Sequence, residues 1–541
     1  MPDFIWLIVS ALFIAAWVRP IVLTSLRALH MLQLEEYQTV RYLRWLTANR
    51  WLIVDQSLLF TGIFVALFSL PSLLVAPITA FAGIAVGVWQ SIKRSTPPAK
   101  KPLVLTDRAR RLLAGYGVCI LIFFSVVASV EAEPLKWAGS SVVFDVAMGA
   151  IGLSLALWPL LAVANLLLYP VEAGFRRYFL ASARGTLRKY HPMVIGVAGS
   201  YGKTSTKAIL AHLLATRFPT LATPRSFNTP MGLCRVIREE LRPEHQFFIA
   251  ELGAYRLGEI RELGRLVHPS IGVLTSVGPE HLERFGSLEN VVKGEAELLQ
   301  AIPPDGVAIV NGDDELCRQI ANAATCRVVF AGGPAEQRRA LWADDVTLTS
   351  AGLQFTISRA DGRSVKARTR LLGRHSVANI LLASAAALEC GIAFDDLAEA
   401  IDRLEPVEHR LQLIANDNGV TVIDDTYNSN PRGAAAALET LASFQGGRRY
   451  LVTPGMVELA DYQDTAHREF GLQAAGVCDA VILIGSRRTR AIAEGLVEGG
   501  ATADRLIITA NLSEATERLR DLLRAGDAVL FENDLPDNYV E

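Results

Sequence analysis

Gly196-Val-Ala-Gly199-Ser200-Tyr201-Gly202-Lys203-Thr204-Ser205-Thr206-Lys207 follows the apolar run Met193-Val194-Ile195 and opens a helical pattern, Ala208–Leu214. A strand, a glycine-rich turn and a helix N-terminus form a cradle for phosphate, because free backbone N–H groups and the helix dipole point at the anion. Glycines let the backbone approach closely. Lys203 has the reach for the β- and γ-phosphates, and the Thr204 hydroxyl suits Mg²⁺. Gly199, Ser200, Gly202, Lys203, Thr204 and Ser205 are therefore the candidate nucleotide-binding residues. Val197 stands where the strict phosphate-loop pattern has its first glycine. A structural glycine turn is the bland alternative, and Gly-Lys-Thr at a strand-to-helix junction argues against it.

Outward from that stretch, apolar strands alternate with helical patterns from Pro192 onward. Phe247–Ala250, Ile271–Leu274, Val307–Val310, Val420–Ile423 and Ala480–Leu483 read as short buried strands. Such alternation predicts α/β units with mostly parallel sheets. Polar residues follow several strands: Glu251, Pro279-Glu280-His281-Leu282-Glu283, Asn311-Gly312-Asp313-Asp314, and Asp424-Asp425-Thr426-Tyr427-Asn428. Ligands bind at the carboxyl ends of strands in open parallel sheets. Each group alone reads as a cap or turn; four in one topological position read as a site.

The first third of the chain differs. The protein has 541 residues and a formal net charge of -2, and its mean hydropathy is +0.29. Near-neutral charge gives no support for a nucleic-acid partner. Apolar runs at about 4–23, 52–70, 72–89, 112–130 and 142–168 each approach the ~20 residues that span a bilayer. Arg27, Arg41, Arg44 and Arg50 follow the first run. Lys93, Arg94, Lys100, Lys101, Arg108, Arg110 and Arg111 follow the third, and Arg176, Arg177, Arg184, Arg188 and Lys189 follow the fifth. Positive charge on the cytoplasmic side predicts an outside N-terminus, five spans and a cytoplasmic C-terminal part. Asp55 and Gln56 lie at the wet end of the second run. The segment 29–46 reads as an amphipathic or linker helix. The six cysteines show no Cys-x-x-Cys pair and fit reduced thiols.

From about His191 to the end, the sequence resembles the Mur ligase family, nearest its MurF branch, the UDP-N-acetylmuramoyl-tripeptide:D-alanyl-D-alanine ligases. The resemblance rests on ordered pieces: Gly199–Lys207; Phe227-Asn228-Thr-Pro-Met-Gly232-Leu233; Glu251-Leu-Gly-Ala254; His281–Leu288; Lys293-Gly-Glu295; Gly373-Arg-His375; Asn379; Arg410; Asp424-Asp-Thr-Tyr-Asn-Ser-Asn-Pro431; and Met456-Val-Glu-Leu459. Joined to the apolar runs, which give an α-helical transmembrane domain (1–175) in the plasma membrane of a bacterium, it implies a central ATP-binding domain (190–405) and a smaller Rossmann-like C-terminal α/β domain (406–541).

The resemblance further implies an amide ligase of cell-envelope synthesis that works through an acyl phosphate, with ATP and two Mg²⁺. Thr204, Glu251, His281 and a carbamylated Lys293 would be metal ligands; Lys203, Lys293, His281 and Asp425 would serve catalysis. Asn379, Arg410 and Asp425 would hold the nucleotide, and Asn228, Tyr427, Asn428 and Asn430 the substrate. The partners are an amino acid or dipeptide and a carboxylate-bearing precursor, with D-Ala-D-Ala addition to a muramyl peptide as the best single case. A lipid-linked acceptor is the runner-up, and a non-catalytic nucleotide-binding membrane scaffold is the contrasting class. Three departures stand out. Apolar runs replace the UDP-sugar domain. Ser376 stands where the family has Asn. The C-terminal Lys-Gly-Ser element gives way to the acidic stretch 531–539, read as a site for a cationic partner or as a solvated end.

Overall fold

The computed structural model describes residues 18, 21–49, 102–131, 142–334, 339–414 and 418–535, with side chains left aside at 124 and 127–155. It divides into two compact units, one up to Arg176 and one from Arg177 to Leu535.

The first unit is helical, with helices Ile21–Leu34, Thr39–Ala48, Asp107–Glu131 and the start of Val142–Tyr190. The predicted single helix over 29–46 is two helices. They are broken where Glu36 and Tyr37 take positive φ of 56° and 60°, a conformation costly for residues with a Cβ. Leu29, Leu32, Tyr42, Leu46, Tyr116, Leu157 and Leu161 form the unit's core. Tyr42 and Tyr116 donate their hydroxyls to the Trp158 and Leu157 carbonyls, at 3.2 and 2.8 Å. Arg111 makes a fork with Glu172 at 2.7 and 2.9 Å.

Of the expected spans, 52–70 and 72–89, with Asp55 and Gln56, lie outside the described residues, as does most of 4–23. The run 112–130 lies in Asp107–Glu131. Among the described residues one stretch, Ala156–Tyr190, is long and apolar enough to cross a membrane. The expected boundary near Arg176 is not a break in the backbone: the helix continues to Tyr190 through Pro159 and Pro170. Its last part belongs to the second unit, where Phe179, Leu180, Ala183, Leu187 and Tyr190 pack into that unit's core.

Two sheets build the second unit. Among the described residues the first has nine strands: β1 (Met193–Ala198), β2 (Thr220–Ala222), β3 (Phe247–Glu251), β4 (Ile271–Leu274), β5 (Val307–Asn311), β6 (Arg327–Ala331), β7 (Arg339–Thr349), β8 (Gly352–Arg359) and β9 (Ser364–Thr369). Their order is β2-β3-β1-β4-β5-β6-β7-β8-β9. Pairing is parallel through β7 and antiparallel in the β7-β8-β9 meander. The second sheet has β10 (Gln412–Ile414), β11 (Thr421–Asp425), β12 (Arg449–Thr453), β13 (Ala480–Ile484), β14 (Leu506–Thr509) and β15 (Ala528–Glu532), in the order β10-β11-β15-β12-β13-β14. Only β10 pairs antiparallel in it.

Side chains alternate across a strand with period two. On β1, Ile195 and Val197 enter one core with the helix Lys203–Ala215, while Val194 and Ala198 enter the opposite one. Helices thus cover both faces, as continuous apolar strands require. Leu210 and Leu213 have no exposed surface, so truncating either to alanine costs about 2–5 kcal/mol. Parallel pairing brings the carboxyl ends of β1, β3, β4 and β5 to one edge of the first sheet, and those of β11, β12 and β15 to one edge of the second.

Candidate active site

The loop after β1 has the backbone its glycines demand. Gly199 and Gly202 sit at φ of 131° and 83°, where a side chain is strained. A Cβ on Gly202 would also stand 2.5 Å from the Asn379 side-chain oxygen. The Ser200 and Tyr201 amides donate to the Ser276 carbonyl after β4, at 2.6 and 3.2 Å. The Ser200 hydroxyl donates to the Gly278 carbonyl at 3.2 Å. The loop is therefore bolted to the β4 end.

Lys203 opens the following helix and turns back to donate to the Gly199 and Ser200 carbonyls, at 2.5 and 2.8 Å. It also reaches Glu280 at 3.4 Å. Burial works against its charge, but Glu280, Glu295 and Glu251 outweigh that and raise its proton affinity. The next residue, Thr204, donates to Glu251 Oε2 at 3.1 Å, and Lys207, one turn on, donates to the same oxygen at 2.8 Å. Asn228 donates to Glu251 Oε1 at 3.1 Å. Glu251, the last residue of β3, is 1% exposed. An ionised carboxylate at that depth needs such partners. Thr204, Glu251 and Asn228, singled out separately in the sequence, are thus brought together, with Lys207 as the buried counter-ion.

His281 and Lys293 are not brought to that carboxylate. His281 takes a positive φ of 53°, and its Nδ1 hydrogen-bonds Glu458. Arg284 donates to the other Glu458 oxygen at 2.7 Å, and the Tyr255 ring stacks edge-on to the imidazole at 4.5 Å. Its Nε2 lies 3.8 Å from Glu280. Lys293, the expected metal-holding lysine, is placed at the surface. Its side chain is 59% exposed and pairs with Glu289 one turn back, at 2.7 Å. The helix Leu288–Ala301 buries Glu295, which is 4% exposed. Burial pushes Glu295 up to about 7; Lys203 opposes that, Glu280 adds to it, and the Gly199 backbone and His281 pull it back down.

On the other side of the loop lies a cavity of about 640 Å³, a size suited to a small ligand. Ser205, His375, Asn379, Arg410, Asp425 and Arg432 are among its walls. Asn379 accepts from the Thr206 hydroxyl at 3.2 Å. The Arg410 guanidinium stacks over the Tyr427 ring at 4.3 Å. Burial raises Asp425 to about 6 against the pull of Arg410. Ser376 borders the cavity but spends its hydroxyl on the Leu372 carbonyl at 2.7 Å.

The segment after β11 reaches the loop. Asn428 donates to Glu280 Oε1 at 3.3 Å, and the Tyr427 hydroxyl meets Ser226. Arg432 reaches Asp314 at 2.6 Å and Ser276 at 2.8 Å. Asn430 differs: it caps the helix Pro431–Ala442 by accepting from the Gly433 amide, the ordinary work of an Asn before Pro. The acidic end of the chain is not a solvated tail at its start. Glu532, the last residue of β15, is 1% exposed and accepts from Ser429 and Thr453. Residues 536–541 lie outside the described residues.

Sequence reasoning quotes Lys207, Glu280, Glu295 and Glu458 inside motifs without giving them roles, and it misses Arg432. One signal was available: Val291, Glu295 and Leu298 recur at helical spacing, which puts Glu295 on the apolar face.

A phosphate loop against strand-end carboxylates, beside a cavity closed by a second parallel sheet, defines a nucleotide-dependent enzyme of the ligase type. The Mur ligase middle domain matches residues 197–387, and the Mur ligase glutamate ligase domain matches 409–532. The chain belongs to the Mur ligase family, whose members are ATP-dependent ligases forming peptide bonds in peptidoglycan precursor synthesis, with ATP and Mg²⁺. It is 34% identical over 364 residues to the UDP-N-acetylmuramoyl-tripeptide--D-alanyl-D-alanine ligase of Mycobacterium leprae, covering 63% of this chain and 70% of that one. It is 31% identical over 353 residues to the same-named enzyme of Bacillus subtilis, covering 65% and 75%. The crystal structure of MurF from Acinetobacter baumannii overlays with a TM-score of 0.61 at 27% identity, covering 67% of this chain and 78% of that one. MurF ligase from Thermotoga maritima in complex with ADP shares the fold, with a TM-score of 0.60 at 24% identity.

Proposed function

We propose that this protein is a membrane-anchored ligase that adds a D-alanyl-D-alanine dipeptide to a muramyl peptide. In the first step a substrate carboxylate oxygen attacks the γ-phosphorus of ATP and ADP leaves. In the second, the dipeptide amine attacks the acyl carbon, loses a proton, and expels phosphate, which keeps one oxygen of the original carboxylate. Little covalent help is needed from the protein; alignment and charge neutralisation dominate.

In this reading Lys203 lets go of the loop carbonyls to meet the phosphates. Mg²⁺, held by Thr204 and Glu251, would neutralise charge on the phosphate oxygens. Asn379, Arg410 and Asp425 hold the nucleotide in the cavity, with Arg410 kept flat by Tyr427. His281 acts by position, fixing Glu280 and Glu458 around the lysine. Tyr427 and Asn428 face the substrate, and Asn228 orients Glu251. One observation carries the reading. Glu280 receives Lys203 on one oxygen and Asn428 on the other, so the segment after β11 meets the phosphate end through a single side chain.

A second reading keeps the chemistry and changes the acceptor to a lipid-linked one. It is favoured by the apolar stretch Ala156–Tyr190, which is long enough to span a bilayer. One assay tests both. The purified protein in detergent receives ATP, Mg²⁺, D-Ala-D-Ala and either a UDP-linked or a lipid-linked acceptor whose carboxylate carries oxygen-18. Label in the released phosphate is the expected result. Product formed with unlabelled phosphate would rule out the acyl phosphate, and the acceptor that turns over decides between the readings.

A further inference from the structure

The helix Leu288–Ala301 buries two glutamates two residues apart, and they are treated differently. Glu297 is saturated: it accepts from the Gly258 amide at 2.8 Å, the Arg261 amide at 3.0 Å and the Arg261 guanidinium at 2.8 Å. Glu295 is 4% exposed, yet its Oε2 has no hydrogen-bond partner among the described residues. Its neighbours in charge are Lys203, Glu280 and His281, and the Gly199 backbone bonds its carboxylate. An orphaned carboxylate oxygen in that place is costly. Lys203 does not relieve it, because its ammonium is committed to two loop carbonyls and Glu280.

We propose that Glu295 is a divalent-cation ligand at the terminal-phosphate end of the loop, so that this chain holds a second Mg²⁺ with a permanent carboxylate and needs no modified lysine. The inference rests on the ATP–Mg²⁺ reading above. Among the described residues no set of three His, Cys, Asp or Glu side chains is arranged to hold a metal alone. That suits Mg²⁺, which takes one or two carboxylates and completes its shell with phosphate oxygens and water. Lys293 points the other way. Its side chain is 59% exposed and pairs with Glu289, while Glu295 is buried.

The test titrates the full-length protein in detergent with Mn²⁺ in the presence of a β,γ-methylene ATP analogue, reading bound metal by electron paramagnetic resonance. The expected result is about two Mn²⁺ per chain, with the second weakened about 10- to 100-fold by Glu295→Gln. Glu295→Asp, which keeps the charge, weakens it less. Analogue affinity, read by calorimetry, stays within about threefold of the parent in both variants, since the phosphates keep the loop and the first ion. Carbon-13 bicarbonate gives no carbamate resonance on the parent protein. Unchanged binding of the second ion in Glu295→Gln would overturn the proposal. A carbamate resonance that vanishes in Lys293→Ala, together with its second ion, would overturn it equally. A parent protein that fails to bind the analogue would instead refute the ATP reading on which it rests.

Discussion

The carboxyl edges of the two sheets both end in a buried glutamate, and each neutralises it differently. Glu251 at the end of β3 and Glu532 at the end of β15 are each 1% exposed. Glu251 receives an ammonium from Lys207, a hydroxyl from Thr204 and an amide from Asn228. Glu532 receives only two hydroxyls, from Ser429 and Thr453. Burial pushes Glu532 up to about 8, with Asp425 adding to the rise. The lesson is that depth alone does not set charge. Burial without a counter-ion favours the protonated form, as at Glu532, whereas Glu251 has the Lys207 ammonium beside it.

The comparison breaks most visibly at the phosphate loop. If the first edge works through charge, Lys203→Ala lowers kcat by about 10³-fold with the fold intact, since one preformed cation at the reacting phosphate is lost. Steady-state phosphate release checks this, and a loss below tenfold would remove the lysine from the chemistry. Next in size is stability. Glu251→Gln strands the Lys207 ammonium, which is 3% exposed, and costs about 3 kcal/mol. Glu532→Gln replaces a group already protonated at pH 7 and costs less than about 1 kcal/mol. Urea unfolding of the two variants side by side is the measurement; equal losses would erase the distinction between the edges.

Much of the first edge is legible in the sequence, because a strand, a glycine turn and Gly-Lys-Thr are contiguous and their chemistry is local. β1, β3, β4, β5, β11 and β13 fall where apolar runs mark them. What is not legible depends on the phase of a helix or on distant partners. Lys293 and Glu295 sit two residues apart in one motif, and only the packing of Val291 and Leu298 decides which faces inward. His281 reads as a metal ligand, and no local signal shows that Glu458, 177 residues later, hydrogen-bonds its Nδ1. Glu532 reads as part of a polar tail, since nothing local reveals that β15 pairs between β11 and β12.

The pH dependence of Glu532 sharpens the comparison with a smaller effect. Its ordinary value of 4.5 rises to about 8 in the folded protein. The folded state therefore keeps a proton that the unfolded chain gives up. That stabilisation is complete below pH 4.5 and is lost progressively as pH climbs through 8. Thermal melts of the parent and of Glu532→Gln between pH 5 and 9 should show the parent losing ground to the variant as pH rises. Parallel curves would mean that Glu532 is charged after all, and that the two edges are alike.

The smallest effect concerns the tie between the edges. Arg432, on the helix after β11, donates to Asp314 at 2.6 Å and to Ser276 at 2.8 Å. Its own side chain is 60% exposed while that of Asp314 is 2% exposed. Solvent screens such a pair, so Arg432→Ala costs only about 0.5 kcal/mol of stability. Asp314 keeps Ser276 and the Cys317 amide, which limits the damage further. Arg432 also walls the cavity proposed to hold the nucleotide, so the variant should raise KM for ATP about threefold with kcat unchanged, the pattern of binding lost equally from ground and transition states. A fall in kcat at constant KM would instead mean that the second sheet reports on the reacting phosphate, and that the division of labour between a charged edge and a neutral one is drawn in the wrong place.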